Sequence, residues 1–299
     1  MNIAKNLKYF FILPAALSIL AVAALLMWGL KPGIELAGGS LLEVSYPDGR
    51  PTQEQLGALV EPLNLGHVLV QPTGQSGYIV RLRDITPEEK VSLMQALGST
   101  RVVHEEEFTS IGPSIGAELM QKGWIAIGLV SVLIILFIAF AFRKASNPSS
   151  WKYGIVAIVT LLHDILIPTG LFALLGYTHG AEVDALFIVA LLTILGISIN
   201  DTIVVFDRIR ENLRLNEEHH KKEEFEGVVG RSIVQTIARS INTSVTVVIV
   251  LAALYFLGPA ATKDFALVLI VGMVAGTYSS IFLASPLLVA WERYSSRKK

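Results

Sequence analysis

Hydropathy along the chain alternates between long apolar runs and one extended polar stretch. The first run, from about Tyr9 to Leu30, follows Lys5 and Lys8. About 20 apolar residues cross a bilayer, whereas the apolar core of a cleaved signal is only about 7–15 residues long. The run therefore reads as a retained membrane helix. Five more follow, at about Gly123–Phe142, Tyr153–Leu175, Ala185 onward, Ile237–Leu257 and Phe265–Trp291. Arg143 and Lys144 end the second, and Asn147-Pro148-Ser149 turns the chain toward the third.

Between the first two runs the period changes. LLEVSY (Leu41–Tyr46) alternates as a strand does, and His67–Gln71, Gly77–Asp84 and Arg101–Phe108 read as three more. Thr52 with Gln55 forms a capping box for a helix reaching Leu63. Thr86-Pro87-Glu88-Glu89 combines cap, first-turn proline and acidic first turn for a helix ending near Leu97. The order β-α-β-β-α-β is the ferredoxin-like pattern. The expected fold is thus a membrane all-α protein of six transmembrane helices, with an α+β ferredoxin-like domain between helices 1 and 2. Its divisions are residues 1–30, 31–119 and 120–299. The last contains a linker at about 208–235, with an amphipathic segment from Glu223 to Arg239 leading into the fifth span, and a basic tail, Arg297-Lys298-Lys299.

Composition agrees with this division. The 299 residues are 53% hydrophobic and 16% charged, against about 25% charged in an ordinary soluble domain. A net charge of −1 asks for no nucleic acid, and the absence of cysteine removes disulfides, thiol catalysis and thiolate metal sites. Charge also orients the chain. Lys5, Lys8, Arg143, Lys144, Lys152, Arg208, Arg210, Arg214, Lys221, Lys222, Arg231 and the tail share the side of the termini, while the short opposite loops offer only Lys263. The positive-inside rule then places both termini in the cytoplasm and residues 31–119 outside.

The fourth run, ALFIVALLTILGISINDTIVVFDRIREN, carries Asn200 and Asp201 inside its apolar length. An ionised carboxylate at a membrane helix centre costs on the order of 3 kcal/mol, so it needs a partner or a use. Asp201 precedes Arg208 by seven residues, and Arg239 follows Arg231 by eight. At 1.5 Å per residue both lie roughly 10–12 Å inside their basic ends, where antiparallel fourth and fifth helices can bring them together. Arg239 heads a stripe with Asn242, Thr243 and Thr246, and Thr193, Gly196 and Asn200 form another. Two facing polar stripes make a hydrated path. Burial raises a carboxylate pKa and a nearby arginine lowers it, so moving the arginine switches the acid. The competing reading is that Arg239 snorkels to the interface and Asp201 only caps a helix end. His163 and Asp164 form a second polar point near mid-bilayer, as a proton site or as a packing contact beside a kink at Pro168. Asp207 and Arg208 read as interfacial, and Gly272, Gly276 and Ser280 as a close-packing face.

Enzyme signatures fare poorly. Gly112-Pro113-Ser114-Ile115-Gly116 matches G-x-S-x-G, but the polar domain is too small for a hydrolase sheet. No H-E-x-x-H occurs, His219-His220 reads as a solvated tract, and Gly33–Gly39 lacks dinucleotide spacing and reads as a turn. No cofactor and no metal site are expected, and the chain is read as non-enzymatic.

Motifs then converge. IGPSIGAEL (Ile111–Leu119), LLHD (Leu161–Asp164), GISINDTIVVFDRIREN and QTIARSINTS closely resemble, in this order along the chain, signatures of the SecF branch of the SecD/SecF family of bacterial protein-export membrane proteins. That family belongs to the resistance-nodulation-division superfamily. The resemblance implies a six-helix half that works with a related half, SecD, and with the SecYEG channel and the SecA motor. Both halves sit in the cytoplasmic membrane of a bacterium, where they draw out unfolded preprotein with the proton-motive force. It places the family's membrane aspartate and arginine on Asp201 and Arg239; the chain's own polar pattern adds Asn200, His163, Asp164, Asn242 and Thr243 as supporting intramembrane residues. Two departures stand out: GIELAGG (Gly33–Gly39) replaces the usual GIDFTGG, keeping a charge at Glu35 and losing a hydroxyl at Ala37, and the linker with His219 and His220 is longer. A small-molecule or lipid exporter of the same superfamily and a purely structural scaffold are the alternatives. An exporter calls for a substrate pocket in a large outside domain, and under 90 residues are available here.

Overall fold

The computed structural model describes residues 3–66, 68–143, 148–259 and 262–296. Lys144 and Asn147 of the expected turn, His67 of the second expected strand and the basic tail lie outside the described residues, as do the side chains of Lys5 and Lys8. The chain forms two compact units. One is Pro32–Trp124 together with Glu182–Ala185, and the other holds the remainder.

In chain order the elements are helix α1 (Ile3–Trp28), a one-turn helix α2 (Ile34–Ala37), β1 (Gly39–Ser45), α3 (Gln53–Val60), β2 (Leu69–Thr73), β3 (Gly77–Leu82), α4 (Pro87–Leu97) and β4 (His104–Ile111). The long helices follow: α5 (Pro113–Ala141), α6 (Ser150–Thr178), α7 (Ala185–Glu218), α8 (Phe225–Leu257), α9 (Lys263–Ser279), a π-helical segment (Ser280–Ala284) and α10 (Ser285–Ser296).

In the smaller unit the four strands run β2-β3-β1-β4, every neighbour antiparallel. With the helix order, this is the ferredoxin-like arrangement expected from the pattern. Both predicted capping boxes form: Gln55 N donates to Thr52 Oγ1 at 3.3 Å and Glu89 N to Thr86 Oγ1 at 3.3 Å, each with the reciprocal side-chain bond. Alternate positions Leu42, Val44, Val80 and Leu82 turn inward onto Leu56, Val60, Leu93 and Leu97. Each such buried side chain contributes about 1.5–3 kcal/mol relative to exposure. Tyr46 joins this core, and burial pushes its hydroxyl up to about 12.

Two strand boundaries move. The last strand starts at His104 instead of Arg101, because pairing with β1 runs Ser45↔His104 to Gly39↔Ile111 across a bulge at Glu43/Val44. Arg101 is left to reach back to the Gly49 carbonyl, at 2.5 Å. The second strand starts at Leu69, its register set by the tight connection that pairs Thr73 with Gly77.

The expected turn at Gly33–Gly39 contains α2 and ends in Gly38 (φ 80) and Gly39 (φ 146). A Cβ on Gly38 would lie 2.6 Å from Pro113 Cα, and one on Gly116 would lie 2.6 Å from Gly38 N. The G-x-S-x-G stretch is therefore a place of close backbone approach. The segment Glu182–Ala185 is tied into this unit as well. Gly33 N donates to the Val183 carbonyl (2.8 Å), Arg81 Nε pairs with Glu182 Oε2 (3.2 Å), and Ala185 N donates to Glu35 Oε2 (2.9 Å).

The larger unit holds the apolar helices. Six helical stretches are long and apolar enough to cross a membrane. Small residues bring them together: a Cβ on Gly170 of α6 would lie 2.4 Å from Ala21 Cα of α1. The helix is unbroken through Pro168. The stretch expected as a linker, 208–235, is almost all helix. Only 219–224 between α7 and α8 is not helical, with His220 in a left-handed conformation (φ 53). Polar side chains seal this hairpin, as Asn212 Nδ2 donates to Ser232 Oγ (2.8 Å) and Gln235 Oε1 (2.9 Å), and Arg231 pairs with Glu223 (2.7 Å). The amphipathic segment is the start of α8, burying Val228, Val229, Ser232, Ile233 and Thr236 at helical spacing. Asp207 pairs with Arg210 and Arg208 with Glu211, at partly exposed positions that suit the interfacial reading.

Candidate functional site

Asp201 lies on the inward face of α7 and is 8% exposed. Its spacing from Ser198 (i−3), Ile194 and Val205 places it on the stripe that packs against the neighbouring helices. Ser240 of α8 lies beside it, and Arg239 is within electrostatic range. Among the described residues no ion pair within 4.0 Å links Asp201 to Arg239, although the arginine is near enough to act on the carboxyl electrostatically. The reason is helical phase: Ser240 faces inward, while Arg239, one residue earlier, is exposed.

The two polar stripes need a correction. Asn242, Thr243 and Thr246 are exposed along α8, and Gly196 and Asn200 along α7. The threonines satisfy their hydroxyls on their own helix, Thr243 Oγ1 donating to the Arg239 carbonyl (3.0 Å) and Thr246 Oγ1 to that of Thr243 (2.7 Å). In this chain by itself the stripes are outer surface, apart from the half-buried Thr193.

His163 and Asp164 form the most elaborated polar cluster in the helices. Asp164 is fully buried and His163 is 5% exposed. Oδ1 of Asp164 lies 2.9 Å from His163 Nδ1, and Oδ2 accepts from Ser279 Oγ of α9 (2.8 Å) and from Ser198 Oγ of α7. On the far side of the imidazole, Tyr278 Oη lies 3.2 Å from Nε2. A single carboxylate therefore joins three helices.

Ser198, Ser240, Tyr278 and Ser279 did not stand out in the sequence. Their signal was available only as phase: Ser198 one turn before Asp201, and Ser279 next to the small-residue face. That face packs closely, since a Cβ on Gly272 would meet Ile194 Cδ1 at 2.2 Å and Ser280 Oγ lies 2.9 Å from Thr202 Oγ1.

Residues 92–294 match the family described as "Protein export membrane protein SecD/SecF, C-terminal". The chain belongs to the SecD/SecF family. It is 44% identical to "Protein translocase subunit SecF" of Thermobaculum terrenum, over 95% of this chain and 91% of that one. It is 32% identical to "Protein translocase subunit SecDF" of Bacillus subtilis, over 97% of this chain but 38% of the relative. The crystal structure of SecDF from Thermus thermophilus, titled a translocon-associated membrane protein, superposes with a TM-score of 0.84 at 32% identity. The match covers 98% of this chain and 39% of that chain. This chain thus spans about two fifths of the SecDF chains and nearly all of the SecF chain. It is a multi-pass membrane protein with the architecture of this family.

Proposed function

We propose that this chain is the SecF-type subunit of a bacterial preprotein translocase, coupling the proton-motive force to export through a SecD-type half. The observation that carries the reading is Asp201, a buried acid on a membrane helix beside an arginine-headed polar stripe that this chain leaves uncovered. A guanidinium and an amide in contact with lipid are costly, on the order of 3 kcal/mol for an arginine at a helix centre. A second protein surface against Arg239, Asn242, Thr243 and Asn200 removes that cost. The SecD-type half is the partner suited to it, since relatives carry both names on one chain.

In this reading Asp201 takes and releases the proton. Neutralising it weakens its attraction to Arg239 and allows α7 and α8 to shift against the partner. One proton crossing 100 mV releases about 2.3 kcal/mol, enough to bias such an equilibrium. Residues 31–119 are extracytoplasmic and act on unfolded preprotein, both termini are cytoplasmic, and SecYEG and SecA are met through the complex. No enzymatic step, cofactor or metal is involved.

Export into energised membrane vesicles tests this. Asp201→Asn is expected to insert and assemble normally while the stimulation of export by a proton gradient is lost. Gradient-stimulated export at the wild-type rate would refute the carrier role.

A further inference from the structure

We propose that Asp164, with His163 and Tyr278, is a second protonatable station, reached from Asp201 through Ser198. This rests on the proton-carrier reading of Asp201 and extends it to a second site.

The hydrogen bonding around Asp164 accommodates two protonation states. In the ionised state the carboxylate only accepts. Ser198 and Ser279 donate to Oδ2, and His163 donates from Nδ1 to Oδ1, so Nε2 is the acceptor for the Tyr278 hydroxyl. In the protonated state Oδ2 must donate. Ser279 Oγ is placed to receive that bond, because its own hydrogen has an alternative acceptor, the Gly276 carbonyl at 3.0 Å. Neither state leaves a buried polar group unpaired, the condition for a buried acid to titrate without breaking its surroundings. The groups facing Asp164 are His163 on its own helix, a cation only when protonated, Ser198 on α7, and Tyr278 and Ser279 on α9, with no arginine or lysine among them.

The path from Asp201 is short. Asp201 and Ser198 line one cavity of about 200 Å³, with Thr193 and Thr277 also on its wall. The wall of that cavity is almost wholly apolar, so the proton crosses it only when water enters during the cycle, with Asp201, Ser198, Thr193 and Thr277 as the polar partners. A proton leaves the Asp201 carboxylic acid for water in this cavity. That water passes a proton to Ser198 Oγ as Ser198 gives its own hydrogen to Asp164 Oδ2. Asp201 ends ionised, Asp164 ends neutral, and one proton has moved. The receiving cluster adjoins the π-helical segment at Ser280–Ala284, a kind of irregularity frequent at functional sites. Protonation at Asp164 therefore exchanges hydrogen bonds next to the break in the sixth span.

The test is proton flux into lipid vesicles enclosing a pH-sensitive dye, with the full chain assembled with its partner half. Asp164→Asn and Ser198→Ala are each expected to lower flux at least tenfold. Ser198→Ala should still assemble with the partner half, and Ser198→Thr, which keeps the hydroxyl, should restore flux. His163→Gln should shift the pH profile of flux. Should Asp164→Asn fail to assemble, Ser198→Ala decides alone. If Ser198→Ala conducts as wild type while Asp201→Asn does not, the second station is overturned and the role of Asp201 stands. If Asp201→Asn also conducts, the carrier reading fails, and the second station with it.

Discussion

Arg83 and Glu89 show what a single carboxylate does in the sheet-containing unit. Glu89 closes the capping box of α4 and accepts two bonds from Arg83, at 3.0 and 2.5 Å. The Arg83 bond first, and the Thr86 backbone N–H next, hold the Glu89 carboxyl below the usual range. A carboxylate whose folded pKa lies below its unfolded one contributes stability above the unfolded value, near pH 4.3. That stability is lost as pH falls through the folded value. Glu89→Gln is therefore expected to lower the unfolding midpoint of this unit at pH 7 and to have a smaller effect at pH 3. Paired melts at the two values check this, and an equal loss at both would remove the electrostatic account.

Among the elements, the long helices depend on residues too small to keep them apart. Gly170 faces the backbone of α1, so an added methyl cannot be absorbed by a rotamer change, whereas at Gly272 the obstacle is the flexible end of Ile194. Overpacking costs about 1–3 kcal/mol, and Gly170→Ala is expected to exceed Gly272→Ala within that span. Thermal midpoints in detergent measure the order, and its reversal would show that α1 shifts more easily than Ile194. The start of α7 gives a second comparison. Glu35 Oε2 accepts from Ala185 N, the first residue of that helix, and a negative group at a helix N-terminus contributes about 0.3–1 kcal/mol. Glu35→Gln keeps an acceptor and is expected to retain more of this stability than Glu35→Ala. Equal loss in the two variants would show that the bond contributes nothing.

For the whole molecule, the cysteine-free sequence makes orientation and assembly directly measurable. Val91 on α4 and Glu217 near the end of α7 are both exposed. Val91→Cys is expected to react with a membrane-impermeant maleimide from outside intact cells, and Glu217→Cys only after permeabilisation; the opposite pattern would invert the proposed topology. Thr246→Cys, on the uncovered stripe of α8, is expected to cross-link to the partner half and to be shielded from lipid-soluble reagents in the complex. Labelling that is unchanged by the partner would leave the stripe without the proposed cover.

The chain alone was enough for the six apolar lengths, the βαββαβ order and both capping boxes, because these follow from period, propensity and neighbours within a few residues. It was enough also to single out Asp201, Arg239, His163 and Asp164, because polar side chains inside apolar runs are costly wherever they point. Direction was decided only by tertiary packing. Neighbouring residues on a helix differ by about 100° in facing, so Ser240 turns in while Arg239 turns outward at the head of an uncovered stripe. Asp164 gains its place from Ser198 and Ser279, which lie 34 and 115 residues away along the chain. No local pattern specifies such a meeting, because it depends on which small residues let three helices approach.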